Sequence, residues 1–122
     1  MKFTFPKPPS INHIYGYTAR GGFARSYITR EGQEWFRAAA VLIKEQLTNS
    51  APFPPLTVPL SATVHLYTAY RRDLDNSLKP LFDVLQKELV IENDVLIEEV
   101  HAYKHKVSKE EERVEIELEI RA

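Results

Sequence analysis

From Leu60 to Tyr70 apolar and polar side chains alternate: Leu60, Ala62, Val64 and Leu66 fall on one side, Ser61, Thr63 and His65 on the other. A period of two predicts a half-buried β-strand. After Leu78 the period lengthens. Leu78, Leu81, Phe82, Leu85 and Leu89 recur at steps of three and four, the stripe of an amphipathic helix running to about Leu89. Between the two lies the polar run Arg71-Arg72-Asp73-Leu74-Asp75-Asn76-Ser77-Leu78-Lys79-Pro80, where a strand hands over to a helix. Pro80 is tolerated only in a first helical turn, which puts the helix cap at Asn76 or Ser77 and leaves Asp73 and Asp75 outside it.

The rest of the chain reads the same way. Lys2–Phe5 alternates and is cut by Pro6, a short strand. A loose hairpin is expected around Arg20-Gly21-Gly22. Thr29 caps a long helix to about Leu47, with apolar residues at 35, 36, 39, 42, 43 and 47. Asn49–Pro59, with four prolines, reads as a linker. A turn at Val90–Asp94 precedes a strand over roughly Leu96–Val107. Ser108–Glu112 is expected to be a charged hairpin tip. In the last strand, Arg113–Arg121, Val114, Ile116, Leu118 and Ile120 face inward, and Glu115, Glu117 and Glu119 form a solvated face. The order β, hairpin, α, β, α, β, β predicts a single α+β domain over residues 1–122. It would be a small mixed or antiparallel β-sheet with two main helices packed on one face.

Composition narrows the chemistry. The 122 residues contain no cysteine, so neither a disulfide framework nor a thiolate site exists. The amino terminus has no signal-like apolar block and no run is long enough for a membrane span, so a cytoplasmic location without membrane partners is expected. Net charge is −1, but residues 1–81 hold ten Lys and Arg against five Asp and Glu, and residues 82–122 hold six against twelve. Such asymmetry is compatible with a basic binding face on a neutral protein.

The polar run supports two readings. Asp73 and Asp75, two apart on extended chain, point the same way, and paired carboxylates repel unless a cation or proton relieves them. Carboxylate oxygens suit Mg²⁺, with Mn²⁺ as the alternative, and Lys79 one turn into the helix adds a positive charge. The other reading is a capped helix with a surface ion cluster, in which Lys79 pairs with Asp83 at i,i+4. Arg20, Arg25 and Arg30, interleaved with aromatics, could meet phosphates and bases. Lys104 and Lys106 share one face of their strand. His13, His65, His101 and His105 show no zinc-motif spacing on a helix, and neither a Ser/His/Asp set nor a phosphate-binding glycine loop is present.

Asp73-Leu74-Asp75-Asn76 with Lys79, placed between a strand and an amphipathic helix, resembles the signature of RusA-type Holliday junction resolvases. Pro8-Pro9-Ser10-Ile11-Asn12 with Tyr15 is similar to that family's amino-terminal turn, and Leu81-Phe82-Asp83-Val84-Leu85 to its following helix. Asp94, nineteen residues after Asp75, resembles its third catalytic aspartate. The resemblance implies a homodimeric, Mg²⁺-dependent endonuclease that nicks four-way DNA junctions in recombination and repair. Asp73, Asp75 and Asp94 would hold the metal, and Lys79 would join them in catalysis. Arg71, Arg72, Lys104, Lys106 and Asn12 would contact DNA. The alternatives are a non-catalytic DNA-binding module and a metal-dependent nuclease for other branched DNA.

Overall fold

The structure, a computed structural model, describes residues 1–47 and 55–121 and, among their side chains, all but Arg20 and Phe23. Among these the chain runs β1 (Lys2–Phe5), α1 (Ile11–Ile14), β2 (Tyr15–Arg20), β3 (Phe23–Ile28), α2 (Arg30–Leu47), β4 (Leu60–Thr68), α3 (Leu78–Lys87), β5 (Ile97–Lys106) and β6 (Arg113–Ile120). Short 3-10 turns lie at Leu74–Ser77, Asp94–Leu96 and Lys109–Glu111. The expected linker falls partly on residues 49–54, outside the described residues. At its far end Leu56 bridges to Ile91.

The α+β expectation holds. Four strands form a mixed sheet in the order β1-β6-β4-β5, and β2 and β3 pair separately as the expected hairpin. β4 alternates without a break: Leu60, Ala62, Val64, Leu66 and Thr68 are buried, and the residues between them are half-buried. Its inner face joins Phe3 and Phe5 of β1 and Val114, Ile116 and Leu118 of β6. Against these pack Trp35, Phe36, Ala39 and Ile43 of α2 with Leu81, Val84 and Leu85 of α3. Each large apolar side chain so buried contributes about 1.5–3 kcal/mol. Thr29 caps α2 as expected, its Oγ1 accepting from the Gly32 amide at 3.1 Å.

Besides Ile120, expected inward but 67% exposed at the end of β6, three expectations need correcting. Ser108–Glu112 is not a hairpin tip, because β5 and β6 are not neighbours. β5 lies parallel to β4 and β6 antiparallel to it on the other side. Parallel partners need a crossover, here α3, so the chain from β5 must then pass over the end of β4 to reach β6. Glu112 fastens that passage, accepting from Lys7 Nζ at 2.6 Å, the Ala69 amide at 2.8 Å and Thr68 Oγ1 at 3.2 Å. Second, α3 stops at Lys87 rather than Leu89. Leu89 adopts a left-handed φ of 59°, and the Val90 amide closes back on the Leu85 carbonyl at 2.9 Å, a helix stop usually signalled by glycine. Third, Glu115 is not free in solvent, since it pairs with Arg113 at 3.1 Å and Lys2 at 3.5 Å.

Glu112 generates a prediction. The Lys7 ammonium first, then the Ala69 amide, hold its carboxyl below the usual glutamate range. A group depressed in the folded state stabilises it above the unfolded-state pKa of about 4.3 and loses that effect as pH falls through the folded-state value. Glu112→Gln should therefore cost about 1–3 kcal/mol at neutral pH, and the gap from wild type should close toward pH 3. Urea unfolding at the two pH values measures this. Equal midpoints at neutral pH would show that Glu112 fastens nothing.

Candidate active site

The polar run begins where β4 ends. Asp73 is extended (φ −68°, ψ 129°) and occupies the N-cap position of the Leu74–Ser77 turn, which leads directly into α3. Ser77 is the N-cap of α3, as expected, and Asp73 and Asp75 both lie outside that helix, with Asp75 inside the 3-10 turn that precedes it. Pro80 is the third residue of α3, where its missing amide hydrogen has no intrahelical acceptor in any case. That leaves room for the tighter turn ahead of it. Ser77 is fully buried and its Oγ has no hydrogen-bond partner among the described residues.

Asp73 and Asp75 line one open depression with Leu74, Leu78, Ala102 and Lys104. A second depression shares Asp73 and Lys104 and adds Ser10, Arg71, Arg72 and Asn76. Among the described residues neither aspartate side chain makes a hydrogen bond or ion pair. Lys104 Nζ donates to the Arg72 carbonyl at 3.1 Å, tying β5 to the loop. Arg72 is unusual. Its Nε and Nη2 are buried and donate to nothing among the described residues. Burial pushes its guanidinium pKa down while Glu112 pulls it up, and arginine stays charged throughout. A buried donor without an acceptor is costly.

Lys79 forms the expected pair with Asp83, at 3.2 Å, and stands 5.0 Å over the Tyr15 ring. The Tyr15 hydroxyl donates to the same Asp83 oxygen; burial, then Asp83, pushes the phenol well above its ordinary pKa. Lys79 lines neither depression. Asp94 opens the Asp94–Leu96 turn, its amide donating to Gln86 Oε1 at 2.9 Å. Among the described residues no three His, Asp or Glu side chains converge on a cation-sized point. The fold thus joins Asp73 to Asp75 without drawing in Asp94. Asn12 is exposed on α1 and lines neither depression, whereas its neighbour Ser10 does. Lys106 borders a third depression with Arg71 and Lys104.

Sequence reasoning missed Ser10 and Ala102 as lining residues. Ala102 was legible, since it lies two residues before Lys104 on a strand. Ser10 was not, because the turn that carries it is placed by packing. Also missed was the outer sheet face, where His65 Nδ1 and His105 Nε2 lie 2.8 Å apart beside a stacked Tyr103.

Fold and site together define a small α+β protein in which unpaired carboxylates, a half-buried arginine and a strand lysine face one open groove. Such a groove suits a phosphate-bearing polymer. The chain belongs to the endodeoxyribonuclease RusA family, whose model matches residues 6–119. It is 39% identical over 84 residues to the crossover junction endodeoxyribonuclease RusA of Aquifex aeolicus, covering 69% of this chain and 64% of that one. It is 32% identical over 106 residues to the protein of that name from Escherichia coli O139:H28, covering 87% and 83%. A relative from Enterobacteria phage 82 is 32% identical over the same length.

The Lys79–Asp83 pair is half exposed, with 54% of the lysine side chain open to solvent, and exposed pairs are worth about 0–1 kcal/mol. Lys79→Ala should lower stability by less than ~1 kcal/mol, read from thermal melting. A larger loss would make this lysine a structural strut.

Proposed function

We propose that this protein is a structure-specific DNA endonuclease that resolves four-way junctions by paired nicks in recombination and repair. The observation that carries the reading is the juxtaposition of unpaired Asp73 and Asp75 with half-buried Arg72, whose buried Nε and Nη2 have no acceptor among the described residues, in a chain of this family. Two free carboxylates on one open wall are the donor set of a hard divalent cation, which commonly takes one or two carboxylates and completes its shell with water and phosphate oxygens. Asp73 and Asp75 would hold Mg²⁺, or Mn²⁺ in its place, with Asp94 as a third acid. When bound, the ion would lower the pKa of a coordinated water and polarise the scissile phosphate.

The chain's own residues do the rest. Arg72 offers two hydrogen-bond donors that lack an acceptor, and a phosphate oxygen is the acceptor that best fits a guanidinium. Arg71, Lys104 and Lys106 extend the cationic track along the loop and β5, holding backbone phosphates without reading bases. Ser10 lies beside Arg71, Arg72 and Lys104, and Asn12, exposed two residues further on, would contact DNA beyond them. Lys79, restrained by Asp83 and the Tyr15 ring, would swing to the phosphate and stabilise charge developing in the transition state. Paired nicks on a four-way junction require two sites related by a two-fold axis, so the active form is a C2 homodimer.

Incubation with a synthetic four-way junction and Mg²⁺ should give symmetric nicks that cease when the cation is chelated. Asp75→Asn should cut nicking by about 100-fold or more with junction binding intact, and Asp94→Asn likewise. Lys79→Ala should slow single-turnover cleavage by about 100-fold. Arg72→Ala should reduce the salt dependence of binding by about one unit of log affinity per log salt. Binding without nicking under all these conditions would favour a non-catalytic DNA-binding module. Equal cleavage of flaps and junctions would favour a broader branched-DNA nuclease.

A further inference from the structure

The β2–β3 hairpin is absorbed neither by the core nor by the groove. It forms its own two-stranded sheet, and among the described residues it is fastened near its base, where Tyr15 and Ile28 pack against the core. There the Tyr15 hydroxyl donates to Asp83, the Thr29 amide donates to the Ile14 carbonyl at 2.8 Å, and the Thr29 hydroxyl to the His13 carbonyl at 2.5 Å. Its tip, Gly21-Gly22, takes positive φ at both positions (63° and 82°), the primed turn that matches strand twist. No atom stands near enough to meet a Cβ at either glycine.

Its chemistry is distinctive. Residues 15–28 contain two Arg and no Asp or Glu. Tyr17 is 76% exposed and Tyr27 52%. Tyr27 lies across Gly16, where a Cβ would sit 2.3 Å from the ring. On the opposite face Tyr17 is paired with Ser26, and the next pair on that face is Ala19 and Ala24. Small side chains thus lie across from the Tyr17 ring and toward the tip, with Tyr15 and Ile28 toward the base. Arg25 is exposed opposite Thr18.

We infer that this hairpin is a second DNA-contacting element, in which Tyr17 stacks on a nucleobase exposed at a branch point and Arg25 meets a backbone phosphate. The inference rests on the branched-DNA reading above and extends it beyond the cleavage groove. An acid-free cationic ribbon suits a polyanion. A duplex hides the faces of its bases, but a branch point interrupts stacking and exposes them, and an aromatic plane binds a base face whatever its sequence. The Asp83 tether at the hairpin base is also the partner of Lys79, so arm and catalytic helix share one fixed point.

The test is equilibrium binding in chelator to a four-way junction with 2-aminopurine at the branch, and to a duplex of equal length, at several salt concentrations. Wild type should prefer the junction and quench the probe. Tyr17→Ala should weaken junction binding about 10-fold and abolish quenching while leaving duplex affinity unchanged, and Tyr17→Phe should retain both. Arg25→Ala should weaken both substrates and lower the salt slope by about one. A wild type that prefers the junction, together with an indifferent Tyr17→Ala, overturns the arm and leaves the nuclease reading standing. A wild type with no junction preference overturns both. Loss of binding that tracks dissociation of Tyr17→Ala into monomers by sedimentation velocity also overturns it, since the arm would then join copies of the chain.

Discussion

The parallel pairing of β4 with β5 is the constraint on which the remaining architecture depends. Two parallel neighbours cannot be joined by a tight turn, so the chain must leave the end of β4, cross the sheet as a helix and return. The loop, the turn and the start of α3 are thereby stacked beyond the carboxyl end of β4, next to the lysines of β5. That is where Asp73, Asp75, Arg72 and Lys104 meet. The same pairing forces the later passage over β4 that Glu112 secures.

The helix layer ends short of β5. β5 is an edge strand whose residues on the helix side, Val100, Ala102, Lys104 and Lys106, are exposed or half-buried, while the matching residues of β4 are fully covered. The groove exists because the sheet is one strand wider than the helices that cover it. Its charges are arranged by depth. The arginine lies inside with unsatisfied donors, the carboxylates lie at the mouth, and the lysines line the outer edge. Buried guanidinium nitrogens left without acceptors work against stability, and such orphaned donors mark places shaped for a ligand.

Asp83 links the two regions expected to touch DNA. Its carboxylate receives both the Lys79 ammonium and the Tyr15 hydroxyl, one from the helix behind the groove and the other from the base of the hairpin. Movement of the hairpin on binding would therefore be felt at Lys79 through a single shared oxygen.

Much of this was legible in the chain. The period of β4, the stripe of α3, the Thr29 cap and the Gly21-Gly22 turn depend on neighbours a few residues apart, so local patterning determined them. The Lys79–Asp83 contact follows from the helix period alone, whereas Asp73 and Asp75 share a wall although Asp75 lies in a 3-10 turn rather than on the extended chain the strand period assumed. Other features had no local cause. Whether Ser108–Glu112 turned back on β5 or crossed to the far side of β4 depended on which strand claimed each edge, a competition among segments distant in sequence. The left-handed Leu89 was invisible because no glycine marked it, and packing of Val90 and Ile91 into the core set that backbone. Arg72 was legible as a cation but not as a buried one, and Asp94's place relative to Asp73 and Asp75 is fixed only by how α3 and β5 pack. Sequence determined which side chains were available and which local faces they shared. Tertiary packing decided which of them met, because contacts across the sheet depend on strand order, which no local period encodes.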